Sequence, residues 1–471
     1  MAAILTDKFR VVFAEKFREA IAVGENPTLQ SLGIPPTSIW LFFAKVDQWE
    51  SGIPLDPVDN QYSNFNTYDQ IIGLKRISSA EIRPVIRNNT WVTGTVYDIY
   101  RHDYGNVLST NGALTTYVQS LGFEQHLYET NYYVVTSEYK VYKCLKNNNN
   151  GQSTIEPSST SNAPFTLADG YMWKYMYTVN ANDFEKFKTD EYIPIPADTS
   201  IDLNNIIEAD PNNFGGSIYN VVIDTPGSGY QTGQEFDIVG DGQNGRIQVT
   251  TVNSDGGITS IKIINPGSSY TFARINTSGG NNATFTPIIS PKEGMGKLIG
   301  RELGAYRVAL HAKLEKDDFI FGNDFSVVGL LFNPTLSVSS LTAIGTKRMV
   351  LNGPLTNSPD TYNDAQITSA TASGRIVHYE LNTVDGIYTI YYTQENILGF
   401  GLNSSGQKNE FEPGQSISIA GVETASISSA LTAVKDSELK RGSGEIIYID
   451  NRNTISRAED QTEDFKIILE F

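Results

Sequence analysis

The residues that could carry chemistry are few and are scattered along the 471-residue chain. No two of its histidines have the three- or four-residue spacing of a helical zinc site, and the single Cys144 is remote in sequence. The histidines are His102, His126, His311 and His378. His102 precedes Asp103, but neighbouring residues of a strand point to opposite faces. We therefore predict that these residues form no catalytic or metal site.

Two acidic stretches could offer oxygen ligands to a cation such as Ca²⁺. The first, "DIVGDGQNG", places Asp237, Asp241 and Asn244 beside glycines but lacks the twelfth-position Glu of an EF-hand. The second, "EKDDFIFGND", contains further carboxylates at Asp317, Asp318 and Asp324. A turn explains the first stretch more simply, and a solvated loop explains the second. We predict no bound metal, with ion binding by either loop as the alternative.

Two carboxylate pairs near the C-terminus have the composition of a glycosidase catalytic pair. These pairs are Glu459–Asp460 and Glu463–Asp464. Their setting, a polar loop before the last strand, favours hydrogen bonds that close the loop around Asp460, Gln461 and Thr462, with an interprotein contact as the alternative. No G-x-S-x-G elbow, P-loop or dinucleotide fingerprint occurs in the sequence. The sequence therefore predicts a protein that is not an enzyme and binds no cofactor.

Composition and charge exclude several classes of partner. Charged residues make up 19% of the chain, whereas 40 glycines, 25 tyrosines and 22 phenylalanines are typical of a turn-rich β protein. The formal net charge is −18 and no basic block occurs, which argues against nucleic acid. No apolar run is long enough to span a membrane. Neither a signal peptide nor a disulfide framework is indicated, so we expect folding in a reducing cytoplasm.

An amphipathic helix is predicted at the N-terminus, and strands and turns account for almost all of the remaining chain. Thr6 can cap the helix, Asp7 complements the positive end of its dipole, and Gly24 ends it. The apolar residues that recur at three- and four-residue spacing are Phe9, Val12, Phe13, Phe17 and Ile21. Because this spacing follows the helical period, it predicts one apolar helix face.

An internal repeat lies near the middle of the chain. "GSIYNVVIDTPGSGY" ends at Tyr230, and "GGITSIKIINPGSSY" ends at Tyr270, a shift of 40 residues. In each copy a short strand leads into a Pro-Gly turn, in which proline fixes φ and glycine can adopt the positive φ of a type II turn. The tyrosine is then predicted to fold back as a plug. We interpret 205–293 as an inserted β module with two Pro-Gly-x-x-Tyr repeats.

A second inserted β module is predicted at 356–435, where the sequence becomes small, polar and β-branched. Gly386 and the pair Pro413-Gly414 mark turns within it. The predicted segments are the first part of the core with the N-terminal helix (1–204), the first module (205–293), the second part of the core (294–355), the second module (356–435) and the closing strands (436–471). The two modules thus interrupt one discontinuous core.

The chain ends in a strand of alternating character. Its predicted inward residues are Phe465, Ile467, Leu469 and Phe471. If all four pack inward, each contributes about 1.5–3 kcal/mol of burial as an upper bound. We therefore predict that the closing strand completes the core, and that a chain lacking 465–471 no longer melts cooperatively at the wild-type temperature.

Several stretches outside the modules share a pattern with one family of known proteins. "GEIIYIDNRNTISRAEDQTEDFKIILEF" has Gly-Glu, an apolar Tyr strand, Asn-Arg, Asp-Gln-Thr-Glu and an alternating strand that ends in Phe. "ADGYMWKYMYTV", followed by "TDEYIPIP", has Asp-Gly-Tyr, Trp and Tyr, and "YKVYKCL" has Val, Tyr, a basic residue, Cys and Leu. "TDKFR" and "SIWLFFAKVDQW" occur in the equivalent order near the start. In these stretches the chain resembles the baseplate wedge subunit of T-even-type contractile-tailed bacteriophages.

The resemblance implies a fold, a function and partners. The implied fold is a layered β-sandwich core with smaller subdomains between its outer sheets. The implied function is that of a structural virion protein, a baseplate wedge component of a contractile tail that acts through protein–protein assembly. The implied partners are a second copy of the chain, in a homodimer, and other wedge proteins. The implied location is the tail baseplate of the virion, after synthesis and assembly in the host bacterial cytoplasm.

Structural or interface roles are predicted for residues of these motifs and for the repeat tyrosines. They are Trp173, Tyr230, Tyr270, Tyr448, Asn451, Arg452, Asp460, Gln461, Thr462 and Phe471. The alternative function is that of a tail-associated glycan-binding or depolymerising protein whose inserted modules meet host carbohydrate. A β protein outside any virion is a third possibility.

Overall fold

The structure is a computed structural model that describes most of the chain. The described residues are 5–31, 36–46, 48–49, 51–103, 127–196, 215–315, 318–319, 324–382, 384–394, 402, 405–420, 423–458 and 461–471. Strands predominate and a long N-terminal helix is present, which confirms the prediction of a mainly β protein with an N-terminal helix. The predictions for His126, Asp317, Glu459 and Asp460 lie outside the described residues.

The described residues form short helices and many strands. The helices are α1 (Asp7–Gly24), α2 (Pro27–Ser31), α3 (Gln61–Gln70), α4 (Ala181–Phe187) and α5 (Ile299–Leu303). The strands are β1 (Ile39–Ala44), β2 (Ile71–Ile77), β3 (Ile82–Arg87), β4 (Tyr133–Val135), β5 (Lys140–Asn147), β6 (Phe165–Thr166), β7 (Tyr171–Thr178), β8 (Tyr192–Pro194), β9 (Ile218–Thr225), β10 (Glu235–Gly240), β11 (Arg246–Val252), β12 (Ile258–Asn265), β13 (Ala273–Ile275), β14 (Thr284–Ile289), β15 (Arg307–Leu314), β16 (Phe325–Phe332), β17 (Thr342–Ile344), β18 (Lys347–Leu351), β19 (Gln366–Thr368), β20 (Ser373–Asn382), β21 (Ile387–Thr393), β22 (Ser416–Ile419), β23 (Glu423–Ser426), β24 (Val434–Lys435), β25 (Glu445–Ile455) and β26 (Glu463–Glu470).

The chain divides into two compact units, each discontinuous in sequence. Unit 1 comprises Met1–Glu15, Arg83–Ala309 and Ile468–Phe471. Unit 2 comprises Lys16–Ile82 and Leu310–Ile467. The five segments predicted from the sequence are a finer division, and their boundaries stay a prediction.

Helix α1 has its predicted extent, but the apolar face predicted for it is buried only in part, as at Ile21. Phe9 and Phe13 expose 44% and 49% of their surfaces, and their ring centroids lie 4.3 Å apart. Val11 and Ala14 are fully buried instead. These two side chains are smaller than the phenylalanines, and a count of apolar spacing does not identify them as the buried ones. The predicted apolar face therefore does not coincide with the buried face at Phe9 and Phe13.

The two sequence repeats lie in unit 1 and are joined by reciprocal backbone hydrogen bonds. Ile218 N donates to Pro266 O and Ile258 N donates to Pro226 O, both at 2.8 Å. Strand β9 pairs with β14, and β12 belongs to a four-stranded sheet in the order β12-β11-β10-β13. The glycines that follow the two prolines have φ values of 64° and 62°, as the predicted Pro-Gly turns require.

The tyrosines that end the repeats are buried inside this module. The Tyr270 hydroxyl donates to Ile238 O (2.9 Å) and accepts from Gly245 N (3.0 Å). The Tyr230 hydroxyl donates to Thr277 Oγ1 (3.0 Å) in a partly buried setting. Each ring therefore fills the interior while its hydroxyl satisfies polar groups that the turns leave unpaired.

Tyr270→Phe is expected to lower the free energy of unfolding of the repeat module by about 1–3 kcal/mol, because it leaves the buried Gly245 N–H and one acceptor without partners. Tyr230→Phe should have the smaller effect, since its hydroxyl contact is only partly buried. The hydrogen-exchange protection of backbone amides in β10 and β11 measures the stability of the module in both variants. Equal protection in wild type and Tyr270→Phe would contradict this role.

Another sheet of unit 1, in the order β4-β5-β7-β6, has an aromatic core on one face. Its fully buried members include Tyr142, Cys144, Tyr171 and Trp173. Burial raises the pKa of the Cys144 thiol well above its usual value, so the thiol stays protonated. The structure therefore gives Cys144 the packing role of a small hydrophobic residue.

Unit 2 contains two sheets, each with its own hydrophobic cluster. One has the order β17-β2-β1-β16-β25, and its strands β1 and β16 are buried along nearly their whole length. The second has the order β23-β22-β19-β20-β21-β18-β24 and packs around Tyr362, Tyr379 and Tyr392. Strand β25 lies at the edge of the first sheet, and among the described residues it pairs only with β16.

The closing strand β26 alternates between buried and exposed residues only in its first half. Phe465 and Ile467 are buried, whereas Leu469 and Phe471 are half-buried. Ile468, which was predicted to face outward, packs against a small apolar cluster of unit 1. The end of the strand therefore carries apolar side chains on both faces, and neither face is fully enclosed. The prediction of full burial was wrong for Leu469 and Phe471.

Candidate functional site

Three side chains form a polar ladder along the edge strand β25. Residues two apart on a strand point to the same face, and here the Tyr448 hydroxyl donates to Asp450 Oδ2 (3.3 Å). Arg452 Nε donates to the same oxygen (2.6 Å). Burial, followed by the nearby Asp450 carboxylate, raises the pKa of Tyr448 above its usual value. The Tyr448 hydroxyl therefore stays protonated and donates a hydrogen bond to the Asp450 carboxylate.

Side-chain hydrogen bonds anchor the segment 51–62 to β25 at Leu55 and, shortly before the segment begins, at Trp49. Asn451 Nδ2 donates to Leu55 O (2.8 Å), and Trp49 Nε1 donates to Arg452 O (2.8 Å). The Lys45 ammonium lies 4.8 Å from the Trp49 ring centroid, within the range of a cation–π contact. The beginning of this segment is thus fixed at two points on the strand.

Helix α3 fixes the other end of the segment. Asn60 Oδ1 accepts a hydrogen bond from Ser63 N (2.8 Å), so Asn60 caps the helix. Near the helix C-terminus, the Tyr68 hydroxyl donates to Ser443 O (2.7 Å). Because both ends are tied down, the exposed stretch between them has little freedom to rearrange.

Large apolar side chains are exposed along this fixed segment. Ile53, Leu55, Val58 and Tyr62 expose 68%, 64%, 55% and 54% of their surfaces, and we call them the apolar ridge. Single exposed apolar residues are normal on a protein surface. Four of them within ten residues, on an anchored backbone, indicate a docking surface.

The arrangement of groups around the ridge suits association. The ridge supplies apolar surface, and the Asn451 side chain and the Arg452 carbonyl tie its backbone to β25. The ladder from Tyr448 to Arg452 lies on the other face of that strand, because neighbouring residues of a strand point to opposite faces. The ridge can therefore contribute binding free energy through burial of its apolar side chains.

The other aromatic residues predicted as contact sites lie inside unit 1. Trp173 is fully buried and stacks on Tyr171 with ring centroids 5.4 Å apart. Tyr230 and Tyr270 fill the repeat module. Phe471 is half-buried, and its backbone N–H donates to Tyr306 O (3.1 Å). These residues therefore serve packing and backbone contacts within unit 1.

The loop before the last strand is closed by Gln461. Gln461 N donates to Ala458 O (3.1 Å), and Ala458 N donates to Gln461 Oε1 (3.2 Å). Thr462 is exposed, and Asp460 lies outside the described residues. The reciprocal pair is of the loop-closing kind that the sequence suggested for Gln461.

The titratable residues considered for chemistry are dispersed. His311 Nε2 lies 2.9 Å from Asp464 Oδ1, and His102 Nδ1 accepts from a backbone amide of β14 (3.2 Å). Hydrogen bonds from Thr271 lower the pKa of Asp241 to about 2, so that carboxylate braces a turn. Among the described residues, no group of three His, Cys, Asp or Glu side chains could hold a metal ion.

The ridge residues were not among the predicted site residues, because they follow neither a helical nor a strand period. The signal that identifies them is their setting. An aspartate follows each of Pro54 and Pro57 two positions later, and this composition indicates a loop. Apolar side chains in such a loop have no regular element through which to reach a core, so they are candidates for contact with a partner.

Comparison with models of known protein families and with curated protein sequences found no match. In the part of the chain that the structure describes, no helix combines the length and apolarity needed to cross a bilayer.

Proposed function

We propose that this chain is a structural virion protein, a baseplate wedge component of a contractile phage tail that acts through protein–protein assembly. The observation that carries the proposal is the apolar ridge, which is exposed on a backbone anchored to β25. A rigid surface loses little conformational entropy on binding, so more of its contact free energy appears as affinity. The proposed partners are a second copy of the chain and other wedge proteins, and the proposed location is the tail baseplate.

The residues that carry the family resemblance support the same surface. Asn451 and Arg452 form the Asn-Arg pair of the C-terminal stretch, and both take part in the anchors. Trp49 ends the stretch "SIWLFFAKVDQW" and forms the other half of one anchor, although it is 403 positions from Arg452. Two motifs at opposite ends of the chain therefore meet beneath the ridge, which favours a role for these motifs in forming a contact surface.

Leu55→Glu is expected to weaken association by roughly tenfold or more, because it places a charge where an apolar contact is lost. Leu55 is exposed and contributes its backbone carbonyl to the anchor, so the substitution should leave the fold intact. Sedimentation velocity measures self-association, and quantitative mass spectrometry of purified particles measures incorporation into the tail.

Leu431→Glu is the matched control, since Leu431 exposes 93% of its surface and lies outside the ridge. It should associate and assemble as the wild type does, and both variants should melt at the wild-type temperature. The proposal fails if Leu55→Glu assembles normally, if both variants lose association equally, or if the chain is absent from purified particles.

A further inference from the structure

A polar cleft of about 470 Å³ lies in unit 1, where the end of β5 meets β9 and β12. Its walls are formed by residues from 98–101, 146–150, 220–223 and 259–261. The volume falls within the range of about 300–1,000 Å³ that small-ligand pockets occupy. The proposed assembly role makes no use of this cleft, since the apolar ridge belongs to unit 2.

The turn after β5 gives the cleft one preformed wall. Asn148, Asn149 and Asn150 have φ values of 51°, 54° and 63°, a left-handed conformation that L-residues rarely adopt in succession. Asn147 holds this turn, because its Nδ2 donates to Asn150 Oδ1 (2.9 Å) and to Tyr97 O (2.9 Å). Its Oδ1 accepts from Asn150 N (3.2 Å). The wall is therefore ordered before any ligand arrives, which lowers the entropic cost of binding.

Polar groups on the cleft walls have hydrogen-bonding capacity left for a ligand. Lys146 forms no ion pair with any described residue, and the side chains of Asn149 and Ser260 form no hydrogen bond within the described part of the chain. Asn150 uses its side-chain oxygen and keeps its Nδ2 group. Asp98 uses Oδ2 to accept a backbone amide and keeps Oδ1. Donors and acceptors thus surround the same space.

The charge of the cleft differs from that of the whole chain. The formal net charge of the protein is −18, but the cleft contains two cationic side chains and one carboxylate. Arg101 is engaged by Asp103 through contacts of 2.8 and 2.9 Å, which leaves Lys146 as the cation that can face a ligand. An anionic group is therefore favoured beside Lys146.

The apolar part of the lining comes from strands of the repeat module and from Ile99, beside the polar residues Asn220 and Thr259. Val221, Val222, Ile223 and Ile261 provide this surface. A sugar ring presents C–H groups on its faces and hydroxyls around its edge, so it complements an apolar floor bordered by amides and hydroxyls. A peptide that adds to a sheet pairs with free backbone N–H and C=O groups, and β9 and β12 offer such groups because each lies at the edge of its sheet. The side-chain amides of Asn149 and Asn150 and the Ser260 hydroxyl favour the sugar, since a peptide added to a strand does not need them.

We propose that this cleft binds a saccharide that carries a carboxylate, such as a uronic acid unit of a polysaccharide. Lys146 pairs with the carboxylate, and Asn149, Asn150 and Ser260 bind ring hydroxyls. Val222 and Ile261 contact the apolar face of the ring.

An array of uronic-acid oligosaccharides and their neutral counterparts, probed with the full chain, tests this site. We expect binding to acidic glycans, followed by calorimetry on the strongest binder. Lys146→Gln should weaken that binding by about 10- to 100-fold, the effect of removing one charge-assisted hydrogen bond. Ser260→Trp, which fills the cleft, should abolish binding.

Lys262→Gln is the matched control, because Lys262 is an exposed lysine on β12 that lies outside the cleft. It should bind as the wild type does, and all three variants should keep the wild-type melting temperature. The proposal is overturned if no acidic glycan binds, or if Lys146→Gln and Lys262→Gln bind equally. Lys146-dependent binding of a polyglutamate peptide without glycan binding also overturns it and identifies a peptide site.

Discussion

A variant that ends at Thr462 is expected to lose the cooperative folding of unit 2. It lacks the buried Phe465 and Ile467, whose burial contributes about 3–6 kcal/mol together as an upper estimate. It also removes Glu463, the carboxylate that pairs with the buried Arg457, which costs about 3–5 kcal/mol more. A loss of this size is comparable with the entire free energy of unfolding of a domain, about 5–15 kcal/mol.

Glu463→Ala separates the charge effect from the loss of the strand. Arg457 Nε donates to Glu463 Oε2 at 3.0 Å, and the two side chains expose only 1% and 7% of their surfaces. The Arg457 contact with the Phe319 ring, 5.7 Å from its centroid, remains in this variant. We expect a loss of about 3–5 kcal/mol. Thr462→Ala, at the exposed neighbouring residue, should change stability by less than about 0.5 kcal/mol.

Hydrogen exchange of β1 and β16 is the measurement for these variants, because a chain of two units need not unfold in a single two-state transition. Protection should fall in the order wild type, Glu463→Ala, truncated chain, with Thr462→Ala close to wild type. A truncated chain that melts cooperatively at the wild-type temperature would show that the closing strand is dispensable.

Lys143→Met is expected to lower the free energy of unfolding of unit 1 by about 3–5 kcal/mol. Lys143 Nζ pairs with Glu302 Oε2, and the two side chains expose 0% and 3% of their surfaces. Glu302 Oε1 accepts from Gly296 N (2.6 Å), and the lysine ammonium lies 4.5 Å from the Tyr100 ring centroid. Removing the lysine leaves the carboxylate buried without its counter-ion, which water cannot compensate.

The double variant Lys143→Met/Glu302→Leu should recover much of this loss, because no unpaired charge remains in the interior. Lys297→Met is the control, since its pair with Glu293 is exposed and spans 3.7 Å, and it should change stability by less than about 1 kcal/mol. The hydrogen-exchange protection of backbone amides in β5 and β7 measures the stability of unit 1 in all three variants. A single variant as stable as the double variant would contradict a buried, coupled ion pair.

Local elements could be predicted because their signals act over a few residues. Thr6 begins helix α1 through a cap that is visible in the sequence, and Phe9 N donates to its Oγ1 (3.3 Å). The Pro-Gly turns of the repeats were identified from two residue types that restrict φ in opposite ways. Strand β1 is an apolar run without polar interruption, and all six of its residues are buried.

The face that an element buries could not be predicted in the same way. In α1 the aromatic stripe of Phe9 and Phe13 satisfied the helical period, yet Val11 and Ala14 are buried. Lys143 interrupts the apolar face that Val141 and Leu145 form on β5, and it is buried there beside an acidic partner 159 positions away. Periodicity describes one element, whereas burial depends on what packs against it.

The sequence by itself determined the class of this protein, the extent of its long helix, the chemistry of its turns and the tyrosines that end its repeats. Only the tertiary structure decided that Trp49 and Asn451 anchor one loop, that Ile53 and Leu55 are exposed on it, and that Lys146 faces a cleft. The physical reason is the distance along the chain over which each kind of interaction acts. Caps, turns and alternation arise between neighbours in the chain, whereas anchors, ion pairs and clefts join residues whose separation along the chain carries no signal.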